Sequence, residues 1–249
     1  MESQVSRAVA ARRAPSTGPR PRPAVQRTPG SFGRNHEGVG RRMDQKAQRF
    51  WDWVAGISHA PKRLGRVPRR MVEAAGKHLP RDSVVLDVGC GPGDVTIAMA
   101  ARVASVTALD ASPGMIEAAR ERARRSGAGN IDFVAGDIDA LASREARFTA
   151  VTAFNVLHYI DDIPAIVRGI DALLAPGGLF LSSTACLADR TTVVSALTRL
   201  LTKLHVMPPT RFFAKRELTA WIADGGFEIV ALEKLSSLPE YFVVAKKRA

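Results

Sequence analysis

The residues best suited to chemistry begin at Asp87. From Val84 the chain reads Val-Val-Leu-Asp-Val-Gly-Cys-Gly-Pro-Gly-Asp, an apolar run followed by glycines at 89, 91 and 93 that flank Cys90. Glycine permits backbone conformations closed to other residues and lets a ligand approach the chain closely. A helix that follows such a turn offers free N–H groups and a partial positive charge to a carboxylate or phosphate. The turn is therefore suited to a nucleotide-like ligand. Its spacing narrows the choice. A dinucleotide fingerprint, G-x-G-x-x-G, wants glycine at 94, where this chain has Asp94, an acid that would repel a pyrophosphate. No Gly-Lys-Ser/Thr follows, which excludes a P-loop.

Other polar residues fall where strands should end. Asp110 closes Val106-Thr107-Ala108-Leu109 and is followed by Ala111 and Ser112; Gly136-Asp137-Ile138 and Phe154-Asn155 come later. An acid at the end of the second strand can accept ribose hydroxyls, and ligands of open α/β sheets sit beyond the carboxyl ends of the strands. The set thus converges on one crevice. His158 follows closely and titrates near neutrality; it is either a general base or a histidine bonded to local backbone. Tyr159 is the second choice. Asp161 and Asp162 precede a helical pattern at Ile163 and are expected to cap it. Metal chemistry is not expected. His36, His59, His78, His158 and His205 are scattered, and neither Cys90 nor Cys186 has a close partner.

The elements that must position these residues alternate along the chain. Short apolar runs predict strands at 83–87, 105–109, 131–135, 150–154 and 179–183, with helices at 93–102, 113–125 and 163–174 between them. Phe50, Trp51, Val54 and Ile57 recur at helical spacing, and a second helix is expected over 67–79. Near the end, a helix at 215–223 leads into strands at 227–232 and 241–245 with no helix between them, which implies an antiparallel hairpin at the sheet edge. The fold class is α/β: a doubly wound, Rossmann-like, seven-stranded sheet, mostly parallel, with an antiparallel C-terminal hairpin.

Charge is unevenly spread. The chain of 249 residues carries a formal charge of +12. Residues 1–42 hold nine arginines against two acids, so over half of the excess lies in an Arg/Pro-rich segment without apolar periodicity, expected to be disordered. The remainder is mildly basic, and a nucleic-acid partner is not expected. No run approaches the ~20 apolar residues of a membrane span. A cytoplasmic location is expected, with organelle import by the tail as the alternative.

The run from Leu86 to Gly93 resembles the first motif of class I S-adenosylmethionine-dependent methyltransferases. Leu109-Asp110 resembles their acidic second-strand end, and Gly136-Asp137 their adenine-side motif. Leu174-Ala175-Pro176-Gly177-Gly178 is similar to the turn before their fifth strand. Phe50-Trp51-Asp52 and Asn155-Val156-Leu157-His158 look like a bacterial small-molecule branch. The resemblance implies S-adenosyl-L-methionine as cofactor. Gly89, Gly91 and Gly93, with Cys90, would shape the turn against its methionine part, and Asp87 would orient the turn or accept from the cofactor's amino group. Asp110 would hold the ribose, with Ala111, Ser112 and Met115 nearby. Asp137 would bond the adenine amine, Ile138 pack on its ring, and Asn155 line the methyl-donor end.

The expected layout is a tail over 1–42 and a catalytic domain over 43–249. Within the domain, 43–80 is a helical lid, 81–185 the cofactor core, 186–216 an acceptor-side insert and 217–249 the closing helix and hairpin. Phe50, Trp51 and Trp53 belong to the lid. The insert carries an apolar stripe, Val193, Leu197, Leu200, Leu201 and Leu204, which either packs on the domain or walls an acceptor pocket. Lys203, Arg211, Lys215 and Arg216 would suit an anionic acceptor or a solvated face. The expected activity is methyl transfer to oxygen, nitrogen or carbon of a small, partly apolar acceptor. The alternatives are a methyltransferase for RNA or protein, an NAD(P)-dependent oxidoreductase, and an idle cofactor-binding protein.

Overall fold

The run Val-Val-Leu-Asp-Val forms β1 (Val84–Val88), buried at all but its first residue. A strand covered on both faces must lie inside a sheet. Accordingly, β2 (Ser105–Asp110) and β4 (Phe148–Phe154) flank β1, both parallel to it. Next to β2 runs β3 (Ile131–Ala135), and next to β4 runs β5 (Leu174–Ala185). The hairpin β6 (Phe227–Lys234) and β7 (Glu240–Lys247) closes the sheet, with β7 antiparallel to both β5 and β6. The order is β3-β2-β1-β4-β5-β7-β6. This is the doubly wound, mostly parallel, seven-stranded sheet expected from the sequence.

The computed structural model describes residues 45–57, 64–141, 148–189, 193–204 and 206–248. The tail over 1–42 lies outside the described residues, as do His36, His59 and His205. The helices are α1 (Gln45–Ile57), α2 (Arg66–Gly76), α3 (Asp94–Ala100), α4 (Pro113–Ser126), α5 (Ile163–Leu173), α6 (Val193–Lys203) and α7 (Lys215–Asp224). Side chains alternate across β1, so Val85 joins Met71, Met99 and Phe242 on one face while Leu86 and Val88 join Ile166, Ile170 and Ile222 on the other. Both faces of the sheet are thus closed by apolar packing, with α2 and α3 on the first and α5 and α7 on the second.

Caps set where helices begin and end. Ser112 accepts the Met115 N–H at 3.0 Å to start α4, and Gly127 ends it at φ 72°. Asp162 starts α5 by accepting from Ala165 N at 2.8 Å. Asp161 does not cap; it lies 3.6 Å from Arg211 as an ion pair.

The fifth strand differs from expectation. It starts at Leu174, paired with Phe148, and its register shifts between Phe148 and Ala150. The Pro176-Gly177-Gly178 segment is therefore an irregularity inside the strand rather than a turn before it. Gly177 supplies a φ of +72°, and a Cβ on Gly178 would lie 2.9 Å from the Ala175 carbonyl. The strand order turns back between β1 and β4, so the crevice opens where these two strands end.

Candidate active site

The turn after β1 is held from beneath by β2. Gly89 N and Cys90 N both donate to Leu109 O, at 2.8 and 3.0 Å. Gly89 has φ +70° and lies against β4's exit: a Cβ there would stand 2.3 Å from Val156 Cγ2. Gly91, at φ +53°, is different. A Cβ on it would meet nothing within 4 Å, because it faces open space. Its N–H donates to Asp110 Oδ2 at 2.8 Å, and Ser112 N donates to Oδ1 at 2.9 Å. Burial pushes the Asp110 carboxyl up, and these two backbone donors pull against that shift.

Asp87 lies one layer below. Thr96 from α3 and Thr152 from β4 donate to its two oxygens at 2.6 and 2.7 Å. Burial nonetheless raises its carboxyl to about 6. It fastens the turn to both neighbours and does not line the crevice.

Two adjoining cavities lie beyond the strand ends. The larger, about 250 Å³, is lined by Gly89, Cys90, Gly91, Asp110, Met115 and Asn155, among others. A smaller one of about 50 Å³ has Asp110, Ala111, Asp137 and Ile138 on its wall. Gly89, Asp110 and Val156 belong to both. The structure thus brings together nine of the twelve residues expected to meet the cofactor. Asp87, Gly93 and Ser112 do not line these cavities: Gly93 sits at the N-cap of α3 and Ser112 at that of α4. Among the described residues the cavity walls carry Asp94, Asp110 and Asp137 and no lysine or arginine. Such a wall suits a cationic ligand and repels a pyrophosphate. Asp94 itself is a weaker argument than its position suggested, because Arg122 reaches it at 2.5 Å and offsets its charge.

A third cavity, about 450 Å³, adjoins the first, and Trp51, Pro68, Asn155 and Tyr159 line both. His158 lies on its wall, 7% exposed, and its Nδ1 has no hydrogen-bond partner. The imidazole therefore does not bond to local backbone through that atom. Burial lowers it to about 4, so it is neutral at physiological pH. Tyr159 packs on Trp51 with ring centroids 5.1 Å apart. Helix α1 is anchored over this junction by Asp52, which accepts from Ser112 Oγ and from Gly114 N. Trp53 points away, 61% exposed.

The insert contributes differently from expectation. Leu187, Thr198, Met207 and Thr210 line the third cavity, while the stripe residues do not. Val193 (86% exposed), Leu197 and Leu200 (51% each) and Leu204 (61%) face outward. The polar side of α6 turns inward instead, with Ser195 buried. The four outward-facing residues neither pack on the domain nor wall the pocket, and only Leu201 of the stripe is partly buried. Lys203, Arg211, Lys215 and Arg216 also stay off the cavity wall. Sequence reading missed Asp52 as an anchor, Pro68 as a wall and Glu240 on the third cavity. Asp52 stood inside a motif already noted, whereas Glu240 is a lone acid before a strand and gave no signal.

Comparison with known proteins decides the family. Residues 85–178 match the family described as "Methyltransferase domain". The ubiquinone biosynthesis O-methyltransferase of Xanthomonas axonopodis pv. citri (strain 306) is 34% identical over 190 residues, covering 74% of this chain and 77% of the relative. The chain belongs to the class I S-adenosylmethionine-dependent methyltransferases. Solved structures agree on the fold. The magnesium protoporphyrin IX methyltransferase from Synechocystis PCC 6803 with bound SAH has a TM-score of 0.62 at 21% identity, over 82% of this chain and 97% of its own. A [4+2]-cyclase has a TM-score of 0.68 at 18% identity, over 87% of this chain and all of the other.

The methyltransferase has S-adenosylmethionine as its cofactor, and its first two cavities fit that group. The open space over Gly91 leaves room for a ligand beside the backbone, and the acidic walls suit a sulfonium. Among the described residues no group of three or more His, Cys, Asp or Glu could hold a metal ion, and no helix is long and apolar enough to cross a membrane.

Proposed function

We propose that this methyltransferase transfers its methyl group to a hydroxyl of a small, partly apolar molecule seated in the third cavity. The observation that carries the reading is the wall of Trp51, Pro68, Asn155 and Tyr159 common to the cofactor-side and third cavities, with His158 just beyond it. The cofactor supplies an electrophilic methyl when bound. The chain supplies orientation, which alone is worth ~7–11 kcal/mol when the reacting atoms are held at near-attack distance. The hydroxyl gains the methyl and loses its proton; the neutral His158 imidazole on the cavity wall is placed to accept it, but burial lowers it to about 4 and makes it a weak base, so orientation remains the larger contribution.

In this reading Asp110 holds the ribose, Asp137 and Ile138 the adenine, and Gly89 to Gly91 the methionine part. Met115 and Asn155 close the methyl-donor end, and Asp87 keeps the turn in place. The relatives' printed activity, O-methylation, supports oxygen as the acceptor atom. The chain divides accordingly into a cofactor core, an α1 lid anchored by Asp52 and an acceptor-side insert. The test is transfer of radiolabelled methyl from S-adenosylmethionine to a panel of substituted phenols. His158→Ala should lower turnover by about 100-fold or more while leaving cofactor affinity unchanged. Labelling confined to amines would overturn the hydroxyl reading.

A further inference from the structure

One carboxylate on the third cavity is used neither by the cofactor site nor by proton transfer. Glu240 opens β7 and lines this cavity. The sheet fixes its direction. Glu240 is the cross-strand partner of Ala185, and partners project to one face. Ala185 lines the same cavity, and Ser183, two residues back on that face, donates to Glu240 Oε1 at 3.2 Å. Ser236 donates to Oε2 at 3.3 Å. These two long bonds fill only part of a carboxylate's acceptor capacity, roughly four positions.

Among the described residues the charge is otherwise uncompensated. Glu240 is 7% exposed, and no cation pairs with it among the described residues. No lysine or arginine among the described residues lines the cavity, whose apolar wall includes Trp51, Val67, Pro68, Leu187, Met207 and Leu238. A buried carboxylate with spare acceptor positions is costly unless a donor reaches it. An acceptor carrying a carboxylate or phosphate would set a like charge beside Glu240 with nothing to offset it. Burial also pushes the Glu240 carboxyl up, as expected for a group lacking a cationic partner.

We infer that Glu240 selects the acceptor, receiving a hydrogen-bond-donating head group, best a protonated amine, and rejecting carboxylate- and phosphate-bearing molecules. The inference rests on the reading of the third cavity as the acceptor site. Of the two readings of the insert's basic residues, it favours a solvated face over an anionic acceptor.

The test uses three probes that share a phenol and differ in the head: tyramine, 2-(4-hydroxyphenyl)ethanol and 4-hydroxyphenylacetate. Their affinities for the protein loaded with S-adenosylhomocysteine, which prevents turnover, are measured by calorimetry. Wild type should bind tyramine most tightly and 4-hydroxyphenylacetate at least about tenfold more weakly. Glu240→Gln keeps size and hydroxyl contacts but removes charge, and should bring the two within about threefold. A purely structural Glu240 would leave that ratio unmoved in the variant, which overturns the inference. So does equal binding of the amine and the acid by wild type, or no binding of any probe at millimolar concentration. Binding in the expected order, with no labelling of the probes in a separate assay with radiolabelled S-adenosylmethionine, sinks the hydroxyl reading and leaves the Glu240 assignment standing.

Discussion

Asp110 accepts from Gly91 N at 2.8 Å and Ser112 N at 2.9 Å, so one carboxylate ties the glycine turn to the start of α4. The same carboxylate lines both of the cavities beyond the strand ends. Asp110→Ala leaves two N–H groups without their acceptor and should cost about 1–3 kcal/mol of stability. In the proposed reading, where Asp110 holds the ribose, the same change should also weaken S-adenosylmethionine binding by at least about tenfold. Denaturant melts and calorimetry on one sample separate the two effects. Unchanged cofactor affinity would remove Asp110 from the binding site.

Gly89 and Gly91 both have positive φ, yet their surroundings differ. A methyl on Gly89 would collide with Val156, 2.3 Å away, whereas one on Gly91 would project into open cavity. Gly89→Ala therefore carries a clash as well as the left-handed backbone penalty and should unfold or severely destabilise the protein. Gly91→Ala should cost only about 1–2 kcal/mol of backbone strain. Its larger effect is on the ligand, which it should displace with a loss of about tenfold or more in affinity. A folded Gly91→Ala protein that binds S-adenosylmethionine normally would contradict the placement of the cofactor.

The sheet was legible because its central parallel strands, β1 and β4 above all, are covered on both faces. Val84-Val85-Leu86 reads as a buried run whatever its partners, and the residues at strand ends then converge by topology alone. Asp110, Asp137 and Asn155 could be placed in one crevice for that reason. The third cavity was legible only in part: the sequence pointed to Trp51 and to the insert, but not to which insert residues face inward, nor to Pro68 or the β7 start, which approach only through tertiary packing. Glu240 reaches the third cavity because β7 lies beside β5, a pairing between residues 55 positions apart at Ala185 and Glu240. Asp87 shows the remaining ambiguity: a carboxylate beneath a glycine turn serves equally well as ligand or fastener, and only Thr96 and Thr152 settle what it touches.

The stripe on α6 misled for a physical reason. Apolar residues at helical spacing usually face a core, but here Ser195 is buried while Leu197 and Leu200 remain half exposed. Replacing both leucines with serine should change stability by no more than about 0.5 kcal/mol each, as for ordinary surface positions. A pocket wall or core contact would instead cost about 2–5 kcal/mol per side chain. Chemical denaturation of the double variant discriminates, and a loss in the larger range would return the stripe to the core.

Asp87 and His158 give opposite contributions to stability in acid. His158 falls to about 4 in the fold, so as pH drops below 6.5 the unfolded chain takes up a proton that the folded one refuses. That group therefore removes about 3 kcal/mol of stability between pH 6.5 and pH 4. Asp87 rises to about 6, so over much of the same interval the folded protein binds its proton first. It returns about 3 kcal/mol as pH falls from about 6 to below 4. The two nearly cancel in wild type. Asp87→Asn should expose the loss, with urea midpoints falling steeply below pH 6.5. His158→Gln should expose the gain, with midpoints rising toward pH 4 relative to wild type. The double variant should follow wild type closely. Identical pH slopes in both single variants would mean that neither group is buried as its surroundings indicate.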